Sequence, residues 1–139
     1  MRKDFFEIAA YAQKKDMYIA LASNGTLITP EIAAKLKATG VYYVEISIDG
    51  KDAISHDNMR GIWGAYDRSI QGIQNCVREG LYTCIAATVT RENYHQIPEI
   101  YALAKELGVK RLMVSISSQR GGESSSWIRT SHPKNERSS

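Results

Sequence analysis

Apolar and polar positions along the chain alternate between two periods, one near 3.6 residues and one near 2, and a turn or capping residue marks most of the switches. Phe5, Ile8, Ala9 and Ala12 recur at helical spacing, Asp4 stands where a helix cap belongs, and Lys14 and Lys15 close the segment against the negative end of the helix dipole. A short apolar strand follows over 17–22, and Ser23, Asn24, Gly25 and Thr26 make the turn at its carboxyl end. The second helix has the sharpest boundaries. Thr29 caps it, Pro30 takes its first position, Glu31 its first turn, Ile32, Ala33 and Leu36 its inner face, and Gly40 sits just past its end.

From 41 to 49 the period changes to two. Val44, Ile46 and Ile48 alternate with Glu45, Ser47 and Asp49, and 41–44 is almost continuously apolar, so this strand is buried on at least one face. Gly50 ends it, and a long loop carrying His56, Asp57 and Arg60 leads to a helix over 65–79 with Tyr66, Ile70, Ile73 and Val77 inward and Gly80 as its stop. A β-branched third strand covers 81–90. A loop beginning at Asn93 to His95 passes into a helix near Ile97 and Pro98, with Ile100, Leu103, Ala104 and Leu107 inward and Gly108 as its stop, and a fourth strand covers 110–115. The Ser-, Arg- and Gly-rich stretch 117–139 keeps no apolar periodicity, which predicts a folded part over 1–116 followed by a disordered tail.

Helix and strand repeated four times imply an α/β fold of parallel strands joined by right-handed crossovers. Either an open doubly wound sheet or an arc of a β/α barrel satisfies that order. In both, loops at the carboxyl ends of the strands face one crevice, and those ends are polar here: Ser23 and Asn24, Asp49, Thr88 and Thr90, and Ser115. His56, Asp57 and Arg60 put three ionisable groups within five positions beside one strand end, which makes that loop the leading candidate for a small-molecule site.

Charge and cysteine content narrow the class. A formal charge of +3 over 139 residues is small, and the tail with four basic and two acidic residues accounts for +2 of it, which leaves no basic stripe for nucleic acid. With 43% apolar residues the chain can bury one core, and it has neither a span long enough for a membrane nor a signal-peptide pattern, so a cytoplasmic setting is expected. Cys76 and Cys84 fit neither a zinc ribbon nor a C-x-x-C pair and read as small buried hydrophobes.

The order of short motifs adds a resemblance. SNGT after one strand, SIDG followed by HDNMRG after the next, then ATVT and ENYHQIPEIYALAKELGV resemble the later part of a radical S-adenosylmethionine enzyme core, in the branch with a SPASM extension that includes tetrapyrrole side-chain enzymes and peptide maturases. The resemblance covers about Lys3 to Val114. It implies the later four βα units of a partial (β/α)6 TIM-like barrel. By the family's pattern Ser47 contacts S-adenosylmethionine and Arg60 pairs with its methionyl carboxylate, with Asn24 and Thr88 as further cofactor-binding candidates, while His56 and Asp57 hold the loop. A guanidinium can grip a carboxylate through two parallel hydrogen bonds, so the chemistry agrees; the alternative for Arg60 is a solvated loop charge.

One departure stands against these matches. The family binds a [4Fe-4S] cluster through C-x-x-x-C-x-x-C and holds the methionyl amine with a G-G-E segment, and this sequence has neither the triplet nor that segment at the matching place. The chain is therefore expected to be an internal piece of a longer protein, to carry no cluster and no other metal, and to be inactive alone. The intact parent is expected to make a 5′-deoxyadenosyl radical for hydrogen abstraction from a tetrapyrrole or a peptide. The alternative is a non-catalytic α/β binding module. Composition also changes abruptly after Val114, in mid-strand. In the SPASM branch this strand leads into a segment like F-N-F-I-P-T-G-R-G, and one choice of codons for residues 115–123, read one nucleotide earlier, spells it; the tail is thus expected to come from a shifted reading frame.

Overall fold

In the computed structural model, residues 2–117 and the backbone of 126–128 are described. The order is α1 (Phe5–Lys14), β1 (Ile19–Ser23), α2 (Pro30–Ala38), β2 (Val41–Ser47), α3 (Ala53–Arg60), α4 (Ala65–Arg78), β3 (Tyr82–Val89), a 3₁₀ turn (Tyr94–Gln96), α5 (Ile97–Leu107), β4 (Arg111–Ile116) and β5 (Ser126–Ile128). The strands lie in the order β1-β2-β3-β4-β5, the first four parallel and β5 antiparallel to β4. The other edge of β1 has no strand partner among the described residues. Apart from Ser117 and the backbone of Ser126–Ile128, the stretch expected as a disordered, frame-shifted tail lies outside the described residues.

Sequential strand order separates the two architectures left open by the pattern. A doubly wound sheet reverses its order at a switch point, whereas an unbroken order with right-handed crossovers puts every helix on one face. Here α2 packs on β2, α4 on β2 and β3, α5 on β4, and α4 lies between α2 and α5, so the helices form one layer. This is an arc of a β/α barrel. Val44, Ile46, Ile48, Ile85, Ala87 and Leu112 face that layer and join Leu36, Ile73, Cys76 and Ile100 in one core. By strand alternation the other face carries Glu45, Ser47 and Asp49, then Cys84, Ala86 and Thr88, then Arg111, Met113 and Ser115, in register across the three strands.

Helix boundaries follow the capping residues with two corrections. Thr29 accepts a hydrogen bond from the Ile32 N–H at 3.2 Å, and Gly40, Gly80 and Gly108 all take positive φ just past their helices. Asp4 makes no cap hydrogen bond, because its carboxylate is bound to Arg2 at 2.9 and 3.0 Å, and Ile8 of α1 is exposed, not inward. The expected long loop after β2 contains a helix instead. Asp52 caps α3 by accepting from the Ser55 N–H at 2.9 Å, and Gly61 at φ 69° closes it. Its eight residues are too few and too polar to show an apolar period.

Two close approaches fix the loops around the sheet. Gly72 of α4 packs directly on the Gly25 carbonyl, and on either side of it Ser69 Oγ donates to the Asn24 carbonyl at 2.6 Å and Asn75 Nδ2 to the Ile28 carbonyl at 2.8 Å. The turn after β1 thus rests in a cradle one glycine wide. On the other side, His56 of α3 is buried against the end of β2, its Nδ1 accepting the Asp49 N–H at 3.1 Å, so the proton of the neutral ring sits on Nε2. Burial lowers its pKa and the Arg60 charge lowers it further, against the opposing pull of Asp49 and Asp57.

Both features predict stability effects. Alanine normally favours a helix over glycine by about 1 kcal/mol. At Gly72 the added methyl meets the Gly25 carbonyl, so Gly72→Ala should instead destabilise by roughly 1–3 kcal/mol in urea unfolding; a stabilised variant would refute the cradle. The folded chain holds a proton on His56 less tightly than the unfolded chain, which therefore binds more protons in acid. The His56 contribution is complete above the ordinary histidine pKa of roughly 6.5 and falls as pH drops toward the lower folded value. The stability difference between the wild-type chain and His56→Gln, followed from pH 7.5 to 5, should shrink; a constant difference would place His56 outside the linkage.

Candidate functional site

Asp49 organises the polar groups where β2 and β3 end. Only 5% exposed, it accepts the Thr88 N–H through Oδ1 at 2.8 Å, and its Oδ2 lies 2.7 Å from Arg60 Nη2. A buried carboxylate needs both hydrogen bonds and an opposite charge, and these two partners supply them. Its backbone is held as well: beyond the bond to His56, its carbonyl accepts Asn93 Nδ2 at 2.9 Å. The buried Asn93 also donates to the Thr88 carbonyl at 2.9 Å and accepts the Thr90 N–H at 2.7 Å. The two strand ends are clasped from both sides.

Arg60 reaches this clasp from the last turn of α3, where a cation suits the helix dipole. Its side chain is 35% exposed, and among the described residues only Asp49 pairs with it. The rest of the planar donor fork is open to a second acceptor. Asp57, one turn earlier, holds the far side of the helix by accepting the Gly64 and Tyr66 N–H groups, each at 2.8 Å. His56 and Asp57 thus hold the segment that carries Arg60.

Ser47 lies two residues before Asp49 on the same face, half-buried, and its hydroxyl has no hydrogen-bond partner among the described residues. It pairs in register with Ala86, two residues before Thr88. Thr88 is exposed, and its hydroxyl lies 3.5 Å from that of Ser115 on β4. Asn24 differs. The Ser23–Ile46 register puts it level with Ser47, but its Oδ1 accepts the Thr26 N–H at 3.1 Å and the Thr26 hydroxyl at 2.9 Å, closing its own turn. The structure thus joins Arg60 and Thr88 through Asp49, sets Ser47 on the same face, and commits the Asn24 side-chain oxygen to its loop. Asn93, Ser69 and Asn75 escaped sequence reasoning as site-building residues: single polar side chains in a loop or helix have no local pattern, and their partners are 44, 45 and 47 positions away.

Deeper along this face, Tyr43 donates to Glu45 Oε2 at 3.1 Å and lies 3.5 Å from Met113 Sδ. Burial, then the neighbouring Cys84 and Glu45, push its phenol above the usual range. Burial also raises both thiols, Cys76 to about 11, and the two lie on opposite faces of the sheet. A cluster needs thiolates that converge, so these cysteines do not fit as its ligands. No group of three or more His, Cys, Asp or Glu placed to hold a metal ion occurs among the described residues. Among them, too, no helix is long and apolar enough to cross a membrane.

Known proteins account for this geometry. Residues 1–104 match the model of the Radical SAM superfamily. The chain is 45% identical over 108 residues to an AdoMet-dependent heme synthase of Nitratidesulfovibrio vulgaris, covering 78% of this chain and 29% of that protein. It is 38% identical over 109 residues to the mycofactocin maturase MftC of Mycolicibacterium smegmatis, covering 78% and 28%. Streptococcus suis SuiB bound to S-adenosylmethionine superposes with a TM-score of 0.72 at 19% identity, covering 88% of this chain and 28% of that one. The chain therefore spans under a third of each of these proteins. Enzymes of this family use S-adenosylmethionine and a [4Fe-4S] cluster, and their barrel carries the same helix-backed parallel sheet; this chain belongs to the radical SAM superfamily.

Proposed function

We propose that this chain supplies the strands that grip S-adenosylmethionine in a radical SAM enzyme, with Arg60 taking the methionyl carboxylate and Ser47 a second polar contact. The observation that carries the proposal is the one-third-exposed Arg60 guanidinium, tied to Asp49 by one nitrogen and otherwise open, at the rim of the face that carries the unbonded Ser47 hydroxyl. Two parallel N–H bonds from such a fork match a carboxylate. Thr88 lines the same face, its hydroxyl beside that of Ser115. Asn24 contributes through its amide nitrogen, since its oxygen is engaged within the turn.

In the family, reductive cleavage of S-adenosylmethionine at the cluster yields a 5′-deoxyadenosyl radical that abstracts hydrogen from substrate. The thiolates for that cluster do not come from Cys76 or Cys84, so the role assigned to these 139 residues is binding and orientation. For the enzyme in which they work, the substrate class follows the relatives: a tetrapyrrole, as the heme synthase name implies, or a peptide, as the maturase name implies. Two free, buried thiols suit a reducing cytoplasm. The open donors of Arg60 suit a small carboxylate ligand, whereas nucleic acid calls for many phosphate contacts.

Titration of the chain with S-adenosylmethionine and with 5′-methylthioadenosine, which lacks the carboxylate, separates grip from nucleoside contact. Arg60→Ala should weaken the first by roughly 2–5 kcal/mol if the pair is desolvated and leave the second unchanged. Equal affinities before and after the substitution would return Arg60 to a solvated charge.

A further inference from the structure

The carboxylate that holds Arg60 is itself buried, and its position raises a question of charge. S-adenosylmethionine presents a carboxylate, an ammonium and a sulfonium, for a net charge of +1 at neutral pH. A bare guanidinium attracts the first and repels the other two. Asp49 lies 2.7 Å from Arg60, so the pair carries no net charge while the unused N–H donors still point directional bonds at a carboxylate. Building on the binding role proposed above, we propose that Asp49 is a specificity-determining residue: by neutralising and orienting Arg60 it removes the penalty that a bare guanidinium would place on the cationic sulfonium of S-adenosylmethionine relative to the uncharged thioether of S-adenosylhomocysteine.

Three observations support this. Asp49 cannot swing away, because its backbone N–H and carbonyl are held by His56 and Asn93 and its Oδ1 by the Thr88 N–H. Thr88 and the clasped strand ends do not need a charge at this place, since a neutral amide oxygen would accept the same N–H. The charge is needed only by Arg60, and among the described residues no other acidic group pairs with it. His56 is the other ionisable group in direct contact with Asp49, and it enters as an uncharged acceptor of the Asp49 N–H.

The test compares the affinities of the two nucleosides for the chain by titration calorimetry or ligand-observed NMR, and reads their ratio. Asp49→Asn keeps an acceptor for the Thr88 N–H and removes the charge, so it should lower the ratio of S-adenosylmethionine to S-adenosylhomocysteine affinity by about tenfold, the scale of one unit charge ~10 Å away at an effective dielectric constant of about 20. Arg60→Gln, at the more exposed partner, should weaken both ligands and move the ratio in the opposite direction. The double substitution should bring the ratio back toward the wild-type value. A structural role alone would move both affinities together. If the wild-type chain binds both ligands and no variant changes their ratio, the charge role falls while carboxylate binding by Arg60 stands. If it binds neither, the binding role falls and this inference with it. Should Asp49→Asn unfold, the Arg60→Gln ratio still decides, because an unshifted ratio there overturns the proposal.

Discussion

A single carboxylate with a fixed backbone holds the working end of this sheet together. Parallel strands end in loops that would otherwise splay, since nothing in a parallel ladder ties one strand end to the next once the register stops. Asp49 and Asn93 supply the missing ties reciprocally. Asp49 reaches from the end of β2 to the Thr88 N–H, and Asn93 reaches back to the carbonyls of both Asp49 and Thr88. Because these groups are buried, each bond is worth more than it would be in water, and losing one partner strands another. The clasp also sets where α3 can lie, and α3 carries Arg60. The placement of Arg60 is thus a consequence of how two strands are tied.

The same constraint explains the concentration of small residues around the site. Gly50 has no room for a side chain because the α3 backbone at Ser55 and His56 folds directly onto it, and that contact is what brings His56 Nδ1 to the Asp49 N–H. Gly72 does the equivalent for the turn after β1. A mid-helix glycine sacrifices helix propensity, and here the return is a close approach that lets Ser69 and Asn75 hold the turn from either side. Stability is given up locally where it brings a loop to the polar face of the sheet.

Much of the fold was legible because its signals are local. Thr29, Pro30 and Gly40 bracket α2 within a dozen residues, and the two-residue period of Val44, Ile46 and Ile48 identifies the core face of β2 without any knowledge of its neighbours. What was not legible depended on distant partners. Asp4 looked like a cap until Arg2 took its carboxylate, and α3 was hidden because its stability comes from Asp52, Gly61 and two buried polar residues with no apolar stripe. Periodicity alone left open sheet and barrel arc undecided, because no segment encodes strand order; the order of family-like motifs is what pointed to the arc that the structure shows. Ser47, Arg60 and Thr88 are candidates that family-like motifs suggest, whereas the Asp49–Asn93 clasp beside them joins residues 44 positions apart.

The two faces of the sheet divide the labour of the chain. The helix-backed face is apolar and tolerates any sequence that keeps volume and period, so by itself it argues only for an α/β domain. The opposite face is where composition departs from what packing needs: an unbonded serine, paired threonine and serine hydroxyls, a tyrosine–glutamate bond, and at its rim a guanidinium with open donors. A binding module complete in itself would also show such a face, and the cysteines bear on that alternative. Cys76 is consumed by the core and Cys84 sits beside the tyrosine–glutamate pair, so neither thiol is placed to ligate a cluster, while Arg60 keeps open donors at the strand ends. The proposed binding role accounts for an open, charge-balanced Arg60 at the strand ends, whereas packing alone gives no reason for it to stand there.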